Sequence, residues 1–266
     1  MSNLLEVKNI SKHFGGLKAV DNVSMEVHEG EVLGIIGPNG AGKTTFFNLI
    51  TGTYPLTSGQ IFFNGKEVTG YTPEKMAGLG IARTFQNIKL FKFLSVLENI
   101  KAGFHIQLKT NIFDAMLHTK KYKNDEELAN EKSKKLLERI GLIDQIDLMA
   151  GNLPYGWQRH LEIGRALALS PKLLLLDEPA AGMNPSETAD LMEFIKALNK
   201  DGITVVVIEH DMKFIMNLCD RIVVINHGTK LAEGIPSEIS KNKDVIEAYL
   251  GADLSIKKTK RGENNG

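Results

Sequence analysis

Three stretches of the chain, VLGIIG at 32–37, KLLLLDEP at 172–179 and TVVVIEHD at 204–211, stay apolar for about the length of one strand. Runs of this kind suit parallel strands covered by helices on both faces. A different pattern marks VDNVSMEV, where Val20, Val23, Met25 and Val27 stand among polar residues. That approximate two-residue alternation predicts a half-buried antiparallel strand. Residues 4–10 and 60–63 read as further strands, the second closed by the turn pair Asn64 and Gly65. Helical patterns separate the apolar runs. The prediction is an α/β fold: a parallel core sheet with crossover connections, accompanied by an antiparallel β subdomain.

One helix is well marked. Asn184 suits an N-cap, Pro185 the first helical position and Glu187 the third. Leu191, Phe194, Ile195 and Leu198 then follow at helical spacing. Residues 87–169 hold no convincing strand. Their segment 125–140 is charged, with sparse apolar positions at Leu128, Leu136, Leu137 and Ile140. This region is expected to form a helical subdomain inserted into the core of a single domain spanning residues 1–250. The segment 251–266 is polar, carries Lys257, Lys258, Lys260 and Arg261, and is expected to be disordered.

Composition narrows the classes of function. Lys and Arg total 32, as do Asp and Glu, so the net charge is zero and a general nucleic-acid binder is not expected. A local phosphate pocket needs only one or two cations and stays open. The single cysteine, Cys219, has no partner for an intrachain disulfide, which fits a reducing compartment. No apolar run approaches the 18 or so residues of a membrane span, and MSNLLEVKN lacks a signal-peptide pattern, so neither spanning nor secretion is expected.

The chemistry begins at GPNGAGKT, where Gly37, Pro38, Asn39, Gly40, Ala41, Gly42, Lys43 and Thr44 match G-x-x-x-x-G-K-[ST] in full. The motif follows a strand-like run and precedes TTFFNLITG, including Thr45, which can form a helix. Glycines let backbone N–H groups curl around phosphates without side-chain obstruction. Lys43 is expected to reach the terminal phosphates and Thr44 to ligate Mg²⁺, with the helix dipole aimed at the anion. The run of four leucines at 173–176 ends in Asp177 and Glu178. A carboxylate at the end of a buried strand beside such a loop is placed for Mg²⁺. Asp177 is the expected metal residue, acting through water, and Glu178 the general base that polarises the attacking water. These residues by themselves describe a P-loop nucleotide triphosphatase.

The remaining landmarks select among such enzymes. Gln86 lies within ARTFQNIKLF; LPYGWQRHLEIGRALAL runs over 153–169, just ahead of the acidic strand; His210 follows TVVVIE. A lone loop glutamine or a histidine after a strand is ordinarily a surface or satisfied polar residue. Here the order and spacing of the set single them out. The chain resembles the ATP-binding cassette (ABC) transporter ATPases over about residues 4–250. The resemblance implies that Gln86 contacts the metal site and senses a membrane partner, and that His210 touches the γ-phosphate. It places residues 180–185 in the D-loop, and Phe14 as the aromatic that stacks on adenine. It also implies that the segment around Tyr155 and Gly156 caps the nucleotide bound by a second ATPase subunit, in a homo- or heterodimer. The signature departs from the usual LSGGQ: Pro154 replaces Ser, Tyr155 the first Gly and Trp157 the Gln.

GIARTFQNIKLFKFLSVLENIKAG, the L-x-Y-G start of the signature and VIEHDM resemble, more closely, the ATPase subunits of branched-chain (hydrophobic) amino-acid importers. Among these the chain is similar to the one of two paired subunits with a long helical insertion, here around 104–122. Urea-type importers and lipopolysaccharide-export ATPases share much of this pattern, and a non-transport ABC ATPase is the remaining alternative. The resemblance implies ATP and Mg²⁺ as ligands and two transmembrane permease subunits as partners. It further implies an extracytoplasmic solute-binding protein acting indirectly, and a peripheral position on the cytoplasmic face of the membrane.

Overall fold

The computed structural model of the chain describes residues 2–104 and 119–249. The insertion expected around 104–122 lies mostly, and the segment 251–266 wholly, outside these described residues.

Strands β1 (Asn3–Phe14), β2 (Leu17–His28), β4 (Ser58–Phe63) and β5 (Lys66–Glu67) form an antiparallel sheet in the order β2-β1-β4-β5. Its register explains the alternation in the sequence. The pairs Leu5↔Val27, Val7↔Met25 and Ile10↔Val23 are all buried, whereas Glu6↔Glu26 lies on the other face. A register shift between Val7 and Ile10 accompanies Asn9, whose φ is +50°. An extra residue of this kind bends the strand.

The second sheet has the order β10-β9-β3-β8-β7-β6. It comprises β3 (Val32–Ile36), β6 (Ile81–Arg83), β7 (Leu173–Asp177), β8 (Thr204–Ile208), β9 (Arg221–Asn226) and β10 (Thr229–Gly234). All neighbours are parallel except the β9–β10 hairpin. The three apolar runs are the strands β3, β7 and β8, and every residue in them is buried. Leu33, Ile35, Leu173, Leu175, Val206 and Ile208 pack into one core with helix α1 (Lys43–Ile50) and the antiparallel sheet. The alternate residues Val32, Ile36, Leu174, Leu176, Val205 and Val207 pack into the other core. Two apolar covers leave no solvent face, which is why the alternation vanishes here.

Helix α2 (Pro73–Gly78) precedes β6. Between β6 and β7 lie α3 (Val96–Phe104), α4 (Lys120–Arg139) and α5 (Tyr155–Leu167), with only an isolated bridge, Ser95↔Met149, outside the helices and turns described there. Ile100, Phe104, Leu136, Leu137, Ile140 and Leu161 are buried between them. A Cβ at Gly103 would stand 2.6 Å from the Arg165 carbonyl oxygen and 2.7 Å from Ala168 Cβ. So α3 and α5 approach more closely than a side chain would permit. Helix α6 (Pro185–Lys200) starts as its sequence indicates. Asn184 Oδ1 accepts from the Ser186 and Glu187 amides at 2.9 and 3.0 Å, and Glu187 Oε2 accepts from the Asn184 amide at 3.0 Å. Helices α7 (Met212–Leu218) and α8 (Pro236–Ile239) complete the set used here.

The start of α5 is fastened to α6 by aromatic rings. Trp157 meets His160 edge-on with centroids 5.0 Å apart, and His160 stacks on Phe194 at 4.6 Å. Burial pushes the His160 pKa below its ordinary 6.5, while the Ile140 carbonyl and the Asp190 charge pull the other way.

Two predictions follow from this packing. Leu175→Ala removes a side chain with no exposure from the strand beside the acidic end. It is expected to lower unfolding free energy by about 2–5 kcal/mol in denaturant titrations. For His160, the unfolded state binds the extra proton first. Stability is therefore expected to fall as pH drops below about 6.5, by at most about 1.4 kcal/mol per pH unit from this group. Melting curves of His160→Phe should lose that component of the acid sensitivity.

Candidate nucleotide site

Because β3, β7 and β8 are parallel neighbours, their carboxyl ends open at one edge of the sheet. Parallel α/β sheets bind ligands in the crevice outside such ends. Strand β3 runs into Gly37, β7 into Glu178, and β8 into Glu209 and His210. A cavity of about 470 Å³ lies there, lined by residues 39–45, Glu178, Leu17, Lys18, Ala19, His227 and Gly228.

The glycine loop owes its shape to close backbone contacts. Gly42, the residue before α1, has φ +101°, and a Cβ there would stand 2.3 Å from the Ala19 carbonyl oxygen. The loop is pinned to the β9–β10 turn, where the Gly228 amide donates to the Ala41 carbonyl at 2.9 Å. Lys43 is 6% exposed, and its Nζ donates to the Gly37 and Pro38 carbonyls at 2.7 and 3.0 Å. Burial pushes the Lys43 pKa down, opposed by the charges of Glu178 and Asp177. Those carboxylates help keep the ammonium charged in a pocket that would otherwise disfavour it.

On the acidic side, Asp177 is 3% exposed and its Oδ2 lies 3.6 Å from Arg83 Nη2. Burial raises the Asp177 pKa; the Arg83 charge opposes this, and so do the more weakly acting Arg159 and Lys43. Glu178 has φ +45°, a conformation uncommon for a residue with a side chain, and its amide donates to the Ile208 carbonyl at 2.9 Å. Holding a non-glycine residue there costs on the order of 1–3 kcal/mol, and such strain clusters at functional sites. Gln86 Nε2 donates to Glu178 Oε2 at 2.8 Å, and His210 Nδ1 lies 3.8 Å from the same oxygen. Two residues far apart in sequence, Gln86 and His210, thus converge on the Glu178 carboxylate.

The structure brings most of the expected residues together, with three differences of place. Gly37 and Pro38 bind the lysine with their carbonyls instead of lining the cavity. Phe14 is half-exposed at the end of β1, opposite Leu17 and edge-on to Tyr54 at 5.6 Å, and only its neighbour Leu17 lines the cavity. Tyr155 and Gly156 open α5, away from the cavity lining; Tyr155 Oη donates to the Ala181 carbonyl at 3.0 Å.

Several organising residues have no sequence motif of their own. Glu209 is 1% exposed and accepts from the Ala180 amide at 2.8 Å and the His210 amide at 3.1 Å, so it fixes the turns after both β7 and β8. Burial raises its pKa. Leu17, Lys18 and Ala19, together with His227 and Gly228, reach the cavity only because two hairpins fold over the loop. The acid after TVVVI was a visible signal for Glu209; the hairpin residues offered none.

The donor set suits Mg²⁺. Thr44, Gln86 and Asp177 offer a hydroxyl, an amide and a carboxylate, all hard oxygen ligands. No group of three or more His, Cys, Asp or Glu able to cage a metal occurs among the described residues. Mg²⁺ is ordinarily held by one or two carboxylates plus substrate phosphates and needs no such cage.

Comparison with known proteins identifies the family. The family described as ABC transporter matches residues 20–181, and the branched-chain amino acid ATP-binding cassette transporter family matches 229–254. The chain is 47% identical to the high-affinity branched-chain amino acid transport ATP-binding protein LivG of Salmonella typhimurium, covering 93% of this chain and 98% of the relative. It is 46% identical to the corresponding protein BraF of Pseudomonas aeruginosa, with 93% and 98% covered. Among solved structures, an ATP-binding cassette of an ABC transporter in its ADP conformation superposes with a TM-score of 0.83 at 36% identity, covering 94% of this chain and all of that one. A dimeric cassette in a post-hydrolysis state with ADP and Pi superposes at 0.72 and 25% identity, covering 87% and 98%. The chain belongs to the ABC transporter family, and it is an ATP-binding cassette that couples ATP hydrolysis to transport.

Gly42→Ala tests the loop directly. The added methyl would collide with the Ala19 carbonyl in a left-handed backbone conformation. ATP affinity measured by calorimetry is expected to fall by about tenfold or more, since each 1.4 kcal/mol of misfit is a factor of ten. Gly40→Ala, at φ +80° with no atom within 4 Å of its Cβ, should fall by less.

Proposed function

We propose that this chain is the ATP-binding and hydrolysing subunit of an importer for branched-chain or other hydrophobic amino acids. The observation that carries the catalytic part is the convergence of Gln86 and His210 on Glu178 beside the lysine loop. The substrate class rests on the likeness to LivG and BraF along almost their whole length.

In this reading the amides of residues 39–45 and the Lys43 ammonium hold the phosphates, moving off the Gly37 and Pro38 carbonyls to do so. Thr44, Gln86 and Asp177 would hold Mg²⁺, which when bound would neutralise charge on the phosphate oxygens. Glu178 takes the proton from the attacking water, and His210 contacts the γ-phosphate. Leu17 and Phe14 form the wall for adenine. The site lacks one half. Tyr155 and Gly156, at the start of α5, serve the nucleotide of a second ATPase subunit, identical or paralogous, so two ATP molecules close a head-to-tail dimer.

Among the described residues no helix is long and apolar enough to cross a membrane. On the likeness to LivG and BraF, the chain docks as a peripheral subunit on the cytoplasmic face of two transmembrane permease subunits, and a solute-binding protein delivers cargo to their far side. The helices between β6 and β7, reached through the Gln86 loop, pass the movement on. The amino acid itself never meets this subunit.

Glu178→Gln keeps shape but removes the base. It is expected to lower ATPase turnover by about 10²–10⁴, and to yield an ATP-bound dimer on gel filtration. Undiminished turnover would remove Glu178 from the mechanism. Proteoliposomes holding the assembled complex should accumulate radiolabelled leucine only with ATP, and urea in the same assay should stay outside.

A further inference from the structure

Helix α5 carries a buried ion pair that the reading above does not use. Arg159 has no exposure and Glu162 is 3% exposed, with Arg159 Nη1 and Glu162 Oε2 2.6 Å apart. Burying two charges costs several kcal/mol per ion before pairing, and an apolar pair of equal volume is often as stable or more so. Core packing alone therefore gives no reason for the pair, and Arg159 Nε has no partner in the structure.

Its remaining bonds all go to one loop. Arg159 Nη1 donates to the Phe85 carbonyl at 2.9 Å and Nη2 to the Gln86 carbonyl at 3.0 Å. Glu162 Oε1 accepts from the Lys89 amide at 3.1 Å. One turn further on, Arg165 donates to the Lys89 carbonyl. The loop at 84–89 has no helix or strand of its own, so these bonds supply the partners that a ladder would otherwise give. The planar guanidinium can hold two carbonyls in one orientation, which an ammonium cannot. From that loop the Gln86 side chain reaches Glu178. The same helix begins at Tyr155, bonded to the backbone just after Glu178.

We propose that Arg159 and Glu162 are positioning residues: they clamp the backbone at 85–89 so that Gln86 stays on Glu178. The segment that caps the neighbouring subunit's nucleotide is thereby tied to the hydrolytic geometry of this subunit's own site. The proposal rests on the roles given above to Gln86 and Glu178. The Arg159 charge also acts weakly on Asp177, an effect that Glu162→Gln leaves in place, whereas the clamp acts through Gln86.

That dependence sets the test, a double-mutant cycle on ATPase activity in the assembled complex. Arg159→Gln is expected to lower kcat by about tenfold, the scale of a modest misplacement of a catalytic group. KM for ATP should stay within about twofold, since the P-loop is untouched. Arg159→Lys should restore little. In a Gln86→Ala background, Arg159→Gln should cost little further. Glu162→Gln, nearly isosteric, should give the same pattern with a smaller loss, and it decides the matter alone if Arg159→Gln does not fold. A full additional loss in the Gln86→Ala background, or a loss expressed in KM, overturns the clamp. A Gln86→Ala protein with normal turnover overturns instead the role of Gln86, which is a separate result.

Discussion

A strand buried on both faces can carry charge only at its ends. In β3, β7 and β8 every apolar side chain enters one of two apolar cores, so the first charged groups the chain can offer stand at or just past the last strand residue, Asp177 among them. Parallel pairing then places these ends side by side. The glycine loop, the Asp177–Glu178 pair and the Glu209–His210 pair are neighbours for this reason, although well over a hundred residues separate the first from the last. The crossover helices supply the cover, and α1 points its N-terminus into the gap that they leave.

What keeps so many charges stable at that edge is mutual compensation at partial burial. Lys43 and Asp177 are both nearly covered, and each is shifted by desolvation toward its neutral form. Each also lies in the field of the other, and Arg83 adds a second cation on the Asp177 side. In the proposed reading, the bonds from Lys43 to its own loop carbonyls are exchanged for bonds to phosphate when a triphosphate enters this arrangement. The strained φ of Glu178 serves the same end. It turns the carboxylate out of the strand direction, to where the Gln86 amide nitrogen meets it.

How much of this the sequence reveals depends on how local each cause is. The glycine loop, the four-leucine strand and the Asn184 capping box are set by residues within a few positions of one another, and all three are present as read. The alternation of Val20, Val23, Met25 and Val27 likewise reports one buried face. Strands β5, β6 and β10 leave little pattern, being two or three residues long or only partly buried, whereas β9 carries a legible apolar run at 222–225. The hairpin residues lining the cavity were hidden for the same reason, since Leu17 and Gly228 act through where two turns land. Arg159 lay in plain view inside a recognised motif. Its burial could not be read, because a charged residue on an amphipathic helix is ordinarily solvated.

Tyr155 joins the start of α5 to the loop after Glu178. Its hydroxyl bonds to the Ala181 carbonyl, and its ring lies about 3.5 Å from where a Cβ on Gly182 would be. A smaller residue here, as in the usual signature, would leave that loop carbonyl to water. With Tyr155 the start of α5 grips the loop after Glu178, while Arg159 and Glu162 grip the loop that carries Gln86. The helix that opens at Tyr155 and Gly156, proposed above to serve a neighbouring subunit's nucleotide, thus holds both loops that shape its own site. Such a helix cannot tilt without displacing groups around Glu178. Hydrolysis in one half of a paired assembly then acts on the other half through packed backbone, and no flexible linker is needed to carry the signal.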